Sequence, residues 1–542
     1  MSKETKGISR RSFLKGAAAL GAVTAVGAGS VMAEEAPVEE EVDEGPAWLG
    51  TAPGITDDMC DETVEADVVI VGAGASGIAA ARAASEAGAS VIVVERMPEP
   101  TIRGLVFGCL DSQLHKDLGA DYDKQEVVRE IVKAQGNRVN GALWMKWANE
   151  SGAAFDWFAS ILDPEEFPYF LEMWPNPPAY DNSTELRPQY CTGIEFVDWI
   201  GAVTKQYEKS VEQGAQYLFN TMAMEIFKDE NGVVGGVYAQ KEDGAYIKVC
   251  AKNGVSLDTG DYSYNEDMLK ALCPEFYTAT GGKVGTVPTS IGYGHKMAIW
   301  AGAMMEPSPH AHMSHSFVGG FGGIGNTATL NLNTKGKRYM NEDVDGQSFT
   351  NQVIRQPGRV GIQVFDSNWE DMVWHQAISH GAPIPDKMDF EAMKASFEAS
   401  VENPSFFLTG ANTLEELFEK VGIPVETAVA SVERYNELCH GGKDLDFGKR
   451  QDRMYPIETP PFFAARSLTA ACICTAGIVV DENLRVLDEN YDPIPHLWAA
   501  GNVAGGRYVA EYPVAPVVAT SHGTAFTFGR SVGMQMAAGD AE

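Results

Sequence analysis

Cysteine motifs that bind cofactors are missing from this chain. Its 8 cysteines are scattered through 542 residues, and none lies in a C-x-x-C or C-x-x-C-H pattern. The sequence therefore encodes neither a covalently attached haem nor a cysteine-ligated iron–sulfur cluster. The even number of cysteines permits disulfides, but the spacing indicates no disulfide framework, and free thiols are equally consistent with it.

Positive charge is also scarce. The chain has 41 Lys and Arg against 75 Asp and Glu, which gives a formal net charge of −34. Such an excess of acidic groups repels nucleic acid and anionic membranes, so neither is expected as a partner. The same charge is suited to docking with a basic redox protein. Residues 34–44, EEAPVEEEVDE, have no hydrophobic period, which predicts a disordered acidic linker.

The N-terminal segment lacks the length and hydrophobicity of a good membrane span. Residues 17–33 are rich in Ala and Gly, follow Arg10 and Arg11, and end in a small-residue site at Ala33. This pattern is typical of a twin-arginine export signal that is cleaved after Ala33, with an uncleaved basic helix as the alternative. We therefore expect the export machinery as a partner, and a location in the periplasm or on the extracytoplasmic face of the membrane.

The most informative segment that is present is residues 67–95, which has the form of a complete βαβ unit. In its G-x-G-x-x-G pattern, the first glycine permits a tight turn, the second lets the backbone approach a diphosphate, and the third lets helix and strand pack closely. Glu95 ends the second strand, where it can accept both hydroxyls of a ribose. The segment predicts strands at 68–71 and 91–94, a helix at 78–87 whose N-terminus faces the diphosphate, and nucleotide contacts from Gly72, Gly74, Ala75, Ser76, Gly77, Glu95 and Arg96.

Three later segments supply further glycine turns. Residues 253–261 read as a strand that enters a glycine turn, residues 290–303 as a glycine turn and helix, and residues 475–506 as a hairpin, a strand and another glycine turn. The last turn can bring backbone N–H groups to the flavin end of an FAD. These segments, and the one that follows the βαβ unit, add the candidate cofactor contacts Gly104, Thr259, Gly260, Gly501, Asn502, Gly505 and Gly506.

In type and order these motifs resemble the soluble fumarate reductase/succinate dehydrogenase flavoprotein superfamily, which includes urocanate reductases and 3-ketosteroid dehydrogenases. The resemblance covers roughly residues 64–540. The family's ATGG-like turn corresponds to residues 258–261, its GDG turn to residues 292–294, and its AAGE motif to residues 499–502. The resemblance implies FAD as the cofactor and an α/β fold, in which a Rossmann-like FAD-binding domain is split by an inserted α+β capping domain.

The resemblance also implies the order of domains along the chain. We expect a signal peptide at 1–33, an acidic linker at 34–63, the first part of the FAD-binding domain at 64–307, a capping or substrate domain at 308–473, and the second part of the FAD-binding domain at 474–542.

Three residues that handle dicarboxylates in fumarate reductases have no counterpart here. The proton-donating arginine of G-x-R-F-x-N-E-x-x-x-R corresponds to Gly346, and the carboxylate-binding histidine of H-T-M-G-G corresponds to Cys474. The motif H-G-x-N-R-L-G-G, whose arginine clamps the other carboxylate, is replaced by the residues GGRYVAEYP at 505–513. Because two carboxylates need paired cationic donors, a small dicarboxylate substrate is not expected.

A tyrosine stands near the lost ligands. Tyr512 follows Gly501 at a spacing similar to that of the tyrosine in 3-ketosteroid dehydrogenases that hydrogen-bonds a substrate carbonyl. We expect Tyr512, with Tyr508 or Arg507 beside it, to bind the carbonyl or carboxylate of a conjugated substrate. Ordinary aromatic packing is the alternative.

Histidines cluster at the expected entry to the cap, where the resemblance places a substrate-binding histidine. Of His310, His312 and His315, we expect His312 or His315 in the active site, with core or solvent positions as the alternative. No carboxylate or cysteine lies suitably near in sequence, so no metal is expected. His522 is expected to be structural, as is an ion pair between Arg338 and Glu342.

These residues together predict an exported FAD-dependent oxidoreductase that acts on CH–CH or C=C groups. The favoured interpretation is the reduction of an activated C=C bond in an enoate or enone, which serves as an electron acceptor in anaerobic respiration. Because no haem motif is present, electrons must come from a separate donor such as a cytochrome or a quinol oxidase. The alternatives are a 3-ketosteroid-type dehydrogenase that uses the same site, and a non-catalytic flavin electron carrier.

Overall fold

The computed structural model describes residues 45–172, 190–316, 323–376, 389–509, 511–512 and 515–539. The predicted export signal, the acidic stretch 34–44 and the side chain of His315 lie outside the described residues. Trp48–Glu542 form one compact unit. Among the described residues, no helix is both long enough and apolar enough to cross a bilayer.

The strands of the described part of the chain form three sheets. In chain order they are β1 Cys60–Val71, β2 Val91–Val94, β3 Val106–Gly108, β4 Tyr169–Leu171, β5 Gly193–Phe196, β6 Gln216–Leu218, β7 Thr221–Lys228, β8 Val234–Lys241, β9 Tyr246–Leu257, β10 His312–Ser316, β11 Asn331–Leu332, β12 Val360–Asp366, β13 Leu408–Ala411, β14 Phe462–Cys474, β15 Arg485–Leu487 and β16 Pro493–Ala499.

The α-helices cover these sheets. In chain order they are α1 Ala75–Glu86, α2 Gln113–Leu118, α3 Lys124–Ala134, α4 Gly141–Ala159, α5 Trp199–Glu212, α6 Glu266–Leu272, α7 Pro274–Ala279, α8 Tyr293–Trp300, α9 Gly346–Ile354, α10 Trp369–Gln376, α11 Phe390–Glu402, α12 Leu414–Val421, α13 Val425–His440 and α14 Thr520–Ala538.

The largest sheet carries the nucleotide-binding unit. Its strand order is β15-β16-β9-β1-β2-β6, with β8 paired to β9 and β7 to β8. β1 runs parallel to both β2 and β9, and Val68–Val71 are buried because neighbouring strands and helices cover this end of the strand. β1 begins at Cys60, eight residues before the predicted start, and its first half is mostly exposed. The apolar residues 68–71 therefore marked only the buried end of β1. Residues 60–63, which were expected in the linker, belong to the sheet.

Two helices pack closely against each other beside β1. α1 begins at Ala75, three residues before its predicted start and directly after Gly74. A Cβ atom at Gly529 or Gly533 of α14 would lie 2.2 Å from the Ser76 carbonyl oxygen or 2.3 Å from that of Ala80. Only glycine allows this approach, so the C-terminal helix is seated against the helix of the βαβ unit.

A separate five-stranded sheet lies within the expected cap. Its order is β10-β14-β12-β11, with β13 paired to β14, and every pair is antiparallel. A hydrophobic cluster drawn only from residues 324–465 packs on this sheet, whereas the main cluster is drawn from residues 66–311 and 478–536. Two cores, one of them interrupted in sequence by the other, support an inserted domain.

Buried charges hold the cap together. The Arg338 guanidinium donates to both carboxylate oxygens of Glu342, at 2.9 and 2.8 Å, and to both of Asp444, at 3.2 and 2.8 Å. Lys449 lies 3.4 Å from Glu342. Burial acts to raise the pKa of Asp444, but hydrogen bonds from Arg338 and from backbone N–H groups outweigh it and lower the pKa to about 2. The predicted pair of Arg338 and Glu342 is confirmed, within a larger network.

We expect Arg338→Met to lower the free energy of unfolding by about 3–5 kcal/mol, because it leaves two buried carboxylates without their main cation. Urea unfolding of the protein, followed by tryptophan fluorescence, measures the loss. Arg434→Met is the matched control: Arg434 pairs with Asp446 in the same region but is 47% exposed, so little change is expected. Equal losses for the two variants would contradict this account of the network.

Candidate functional site

An elongated cleft opens where the βαβ turn meets the carboxyl ends of β9 and β16. Its volume is about 1080 Å³, part of it open to solvent. Crevices at the carboxyl ends of parallel strands are the usual ligand sites of such sheets. Most of the predicted cofactor contacts line it: Gly72, Gly74, Ala75, Ser76, Glu95, Arg96, Thr259, Gly260, Gly501 and Asn502.

Glycines let the backbone segments around the cleft approach each other. Gly72 has φ +109°, and a Cβ atom there would lie 2.5 Å from the carbonyl oxygen of Asp258. A Cβ atom at Gly77 would lie 1.9 Å from the carbonyl oxygen of Gly72. Gly77 is not part of the lining, so its role is to seat α1 on the turn. No side chain caps the N-terminus of α1, which leaves its first N–H groups for an anion in the cleft.

Glu95 is fixed at the end of β2 by backbone donors. Its two carboxylate oxygens accept hydrogen bonds from the N–H groups of Ala73, at 2.7 Å, and Met97, at 2.8 Å. Burial raises the pKa of Glu95, and these backbone hydrogen bonds oppose the rise. Each oxygen keeps a further lone pair, so the carboxylate can still accept a ribose hydroxyl.

Two buried polar atoms in the cleft wall have no partner among the described residues. They are Oδ1 of Asp258 and Oγ1 of Thr259. Burial raises the pKa of Asp258 to about 7, although the Ser256 hydroxyl donates to its other oxygen at 2.6 Å. Native structures rarely leave buried polar atoms unpaired, so this wall fits a polar ligand such as a dinucleotide.

The wall also contains two residues that sequence patterns did not reveal as cleft residues, Arg103 and His522. Burial, and then the neighbouring Arg103 charge, lower the pKa of His522 to about 4, so this imidazole is neutral at physiological pH. A Cβ atom at Gly104 would lie 2.0 Å from the His522 ring. Gly104 is thus not in the lining, and it makes room for His522. Neither residue lies in a recognisable motif, and they meet only through the return of α14.

The comparisons with known proteins agree with this geometry. A family model described as an FAD binding domain matches residues 67–514, more than half of the chain. The chain belongs to this FAD-binding domain family. It is an FAD-dependent oxidoreductase. A second model, for the twin-arginine translocation pathway signal sequence, matches residues 7–27, so the flavoprotein carries a twin-arginine export signal.

Individual relatives are similar along most of their length. The flavoprotein is 26% identical to the vinyl phenol reductase of Lactiplantibacillus plantarum, over 87% of this chain and 96% of that one. It is 26% identical to a fumarate reductase (cytochrome) of Shewanella frigidimarina, over 88% of this chain and 76% of that one. The crystal structure of a 3-ketosteroid-Δ4-(5α)-dehydrogenase from Rhodococcus jostii RHA1 superimposes with a TM-score of 0.66 at 22% identity, covering 89% and 98% of the two chains, which shows a shared fold.

The glycine pair after β16 makes its hydrogen bonds outside the described lining of the cleft. Gly506 donates its N–H to Oε1 of Glu306 at 2.8 Å, and a Cβ atom at Gly505 would lie 2.3 Å from Oε2 of the same carboxylate. Oε2 of Glu306 also accepts a hydrogen bond from the N–H of Gly477 at 2.9 Å. Gly506 therefore binds Glu306, a long-range partner that no local pattern indicates, and the N–H of Gly505 donates to the Ile478 carbonyl oxygen at 2.7 Å. Neither glycine is in the described lining of the cleft, and their contact with the cofactor stays a prediction.

Arg507 and Tyr508 are also tied into the protein by hydrogen bonds. The Arg507 guanidinium donates to the carbonyl oxygen of Gly501 at 2.6 Å and to that of Ala504 at 3.2 Å. The Tyr508 hydroxyl donates to the Thr520 hydroxyl at 2.9 Å. Both side chains are 1% exposed and hold the turn at Gly501 and the start of α14, and their contact with substrate stays a prediction.

Tyr512 and His312 come together at the junction with the cap. The Tyr512 N–H donates to the His312 carbonyl oxygen at 3.2 Å. The Tyr512 hydroxyl accepts from the Ser521 N–H at 3.1 Å, and burial raises the pKa of this phenol. Nε2 of His312 is buried with no partner among the described residues. The structure thus juxtaposes two predicted catalytic residues, neither of which is in the described lining of the cleft.

The other histidines of this segment differ in setting. His310 is bonded through Nδ1 to the Tyr262 hydroxyl at 2.6 Å and through Nε2 to the Glu306 carbonyl oxygen at 3.0 Å, so both of its ring nitrogens are engaged. His315 lies in β10, and its side chain lies outside the described residues. In the described ranges, no three His, Cys, Asp or Glu side chains are grouped to hold a metal ion.

Gly346, at the position where the resemblance places an arginine, lies next to the side chain of Asn326. Gly346 begins α9, whose N-terminus is capped by Asp345. A Cβ atom at Gly346 would lie 2.6 Å from the side-chain nitrogen of Asn326. A larger residue at this position requires a shift of the Asn326 side chain, and this chain has glycine where the resemblance places the arginine.

We expect Asp258→Asn to change how the stability of the FAD-free protein depends on pH. Because the folded-state pKa of Asp258 is raised from 3.8 to about 7, the folded protein keeps this proton and loses stability as pH rises from about 4 to about 7. Over this pH range the wild-type protein should lose at most about 4 kcal/mol of its free energy of unfolding, and Asp258→Asn should not show this loss. Thermal unfolding between about pH 4 and pH 8 measures the difference. Exposed Asp58→Asn is the control, and parallel profiles for wild type and Asp258→Asn would contradict a protonated Asp258.

Proposed function

We propose that this flavoprotein reduces an activated C=C bond of an enone or enoate outside the cytoplasm, as an electron acceptor in respiration. The observation that carries the proposal is the setting of His312 at the junction of the cap and the FAD-binding domain. Around His312 the side chains of Ser314, Gln347, Asn351, Cys474 and Tyr512 are uncharged and that of Glu511 is acidic. The buried guanidinium of Arg507, which acts on the pKa of Tyr512, is bonded to the carbonyl oxygens of Gly501 and Ala504. A dicarboxylate needs cations in such a place, whereas a carbonyl-activated alkene does not.

A hydrogen-bonded chain links the cap to this junction. Gln347 of α9 accepts from the Ser314 N–H at 2.8 Å and donates to the Asn351 side chain at 3.0 Å. Asn351 in turn donates to Oε2 of Glu511 at 2.5 Å. These amides orient β10, the strand of His312, against the segment that ends at Tyr512. They can also hold a polar, uncharged substrate without paying for the burial of a charge.

In this proposal, different residues of the chain would supply the proton and polarise the carbonyl. FAD, once reduced by two electrons from the separate donor, would supply hydride to one carbon of the double bond. His312 would move a proton at its free Nε2 atom to the other carbon. Tyr512 would polarise the carbonyl, because its hydroxyl accepts from Ser521 and so becomes a better donor. The names of the relatives fit this class: a vinyl phenol reductase and a fumarate reductase.

The electron donor in this proposal is a separate protein, such as a basic cytochrome or a quinol oxidase. The formal net charge of −34 favours the docking of a basic partner and makes the docking rate sensitive to salt. We place the reaction in the periplasm or on the extracytoplasmic face, which the twin-arginine signal supports.

A second candidate is a 3-ketosteroid-type dehydrogenase. The observation that favours it is the buried phenol of Tyr512, whose raised pKa keeps it protonated as a carbonyl hydrogen-bond donor. A flavin electron carrier without turnover is the third candidate, because the position of the family's proton donor is Gly346.

The purified FAD-loaded protein is expected to oxidise photoreduced viologen dyes with enones, enoates or vinyl phenols, and to do so slowly or not at all with fumarate, for lack of cationic ligands. Stopped assays of dye absorbance under anaerobic conditions measure this. Faster reaction with fumarate than with every enone would sink the proposal. Dye-linked oxidation of saturated ketones, without reduction of their unsaturated partners, would favour the dehydrogenase, and no reaction at all would favour the carrier.

We expect His312→Gln to lower kcat by about 10²–10⁴-fold with little change in KM, because it removes a proton donor and keeps a polar side chain. Flavin absorbance establishes that the variant still holds FAD. His440→Gln is the matched control, since His440 pairs with Glu458 on the exposed surface of the cap. Full activity in His312→Gln would remove the catalytic role while leaving the enzyme assignment intact, and Tyr512→Phe tests the carbonyl donor in the same assay.

A further inference from the structure

Two cysteines that are far apart in sequence meet beside His312. Cys273 lies between α6 and α7, and Cys474 is the last residue of β14. Both side chains are fully buried. They belong to one small hydrophobic cluster with Tyr262, Met268, Leu269, Leu272, Phe276, Ala279, Ile354 and Ala471.

Polar contacts fix both thiols in this cluster. The Cys273 thiol donates to the carbonyl oxygen of His310 at 3.2 Å. Cys474 is the direct cross-strand partner of His312, and its N–H donates to Oδ2 of Asp261 at 2.9 Å. The two side chains pack in the same buried cluster, and each acts on the pKa of the other. Cys273 and Cys474 therefore approach each other from two separate segments, with an imidazole alongside.

The two thiols differ in acidity. The neighbouring Cys474 thiol is the main cause that lowers the pKa of Cys273; burial opposes it, and His312 lowers the pKa further. Burial, and then the neighbouring Cys273, raise the pKa of Cys474. Burial also raises the pKa of Cys472 and of Cys439 to about 11. An acidic thiol beside a second thiol is the arrangement of a nucleophilic and a resolving cysteine.

We infer that Cys273 and Cys474 form a redox-active pair, which is oxidised to a disulfide by a small disulfide compound such as oxidised glutathione. In the first step the Cys273 thiolate attacks one sulfur of the oxidant, whose S–S bond breaks and releases one thiolate. In the second step Cys474 gives its proton to His312 and attacks the Cys273 sulfur, which releases the second thiol. Two electrons pass from the cysteine pair to the oxidant, and the two protons go to the released thiols.

Export of the folded protein and burial of both thiols together determine at what stage Cys273 and Cys474 can be oxidised. Because the twin-arginine route carries folded proteins, the cluster forms around reduced thiols, and the oxidant meets them only after export. Both thiols are buried, so oxidation requires a local opening of the cluster. The disulfide would join the α6–α7 segment to the end of β14, the strand that leads out of the cap sheet, and would close a long loop of the unfolded chain. We therefore expect oxidation to raise the melting temperature.

The full-length FAD-loaded protein is incubated with oxidised glutathione, denatured in the presence of N-ethylmaleimide, and digested for mass spectrometry without reduction. We expect one linked peptide that joins Cys273 to Cys474, the loss of both alkylated thiols, and reversal by dithiothreitol with a fall in melting temperature. Alkylation of both residues as free thiols at equilibrium would overturn the inference. A bridge from Cys273 to Cys472 would overturn the assignment of the partner.

Variants separate the two roles. In Cys474→Ser the reaction should stop at a glutathione adduct on Cys273, whereas Cys273→Ser should leave Cys474 unmodified because its thiol is the less acidic. Cys439→Ser is the control and should still form the bridge. If Cys474→Ser does not retain flavin absorbance, Cys474→Ala takes its place in the same measurement. The readout is peptide mass rather than turnover, so it is independent of the proposed function.

Discussion

The close approach of backbone to backbone at the βαβ turn is the constraint on which the rest of the structure depends. A Cβ atom at Gly77 would lie within 1.9 Å of the Gly72 carbonyl oxygen, and one at Gly72 within 2.5 Å of that of Asp258. These contacts fix α1 and the end of β9 around one cleft. Gly529 places α14 on the same helix from the other side, with a Cβ distance of 2.2 Å to the Ser76 carbonyl oxygen. The cofactor site is thus built by three distant segments that only glycine lets converge.

The sequence was sufficient for this part because the signal is local. Gly72, Gly77 and Glu95 lie in one βαβ unit, and the physical reason for each residue type can be read within thirty residues. The strand and helix starts were less well predicted, since β1 extends back to Cys60 through exposed residues that carry no apolar pattern. Hydrophobic periodicity marks burial, so it finds the covered end of a strand and misses the rest.

The part of the site that follows β16, residues 501–512, could not be predicted in the same way, because its contacts are long-range. Gly505 and Gly506 are predicted to contact the flavin end of the cofactor, yet the N–H of Gly506 donates to Glu306, two hundred residues earlier in the chain. Arg507 looks like a substrate ligand, yet two carbonyl oxygens of its own turn occupy it. A charged or glycine-rich motif indicates which kinds of group a segment can bind. The partner that it does bind depends on long-range packing, which cannot be read from a single sequence.

The same reasoning limits the substrate. A larger residue at position 346 would require the Asn326 side chain to shift, because a Cβ atom there would lie 2.6 Å from its amide nitrogen. Cys474, at the place of the family's histidine, is turned into an apolar cluster with Cys273 and is held by Asp261. At both positions the residue that is present has close neighbours of its own: Asn326 lies beside Gly346, and Cys273 lies in one cluster with Cys474. Under the proposed function, a site of this kind would bind its substrate through a carbonyl and an apolar body.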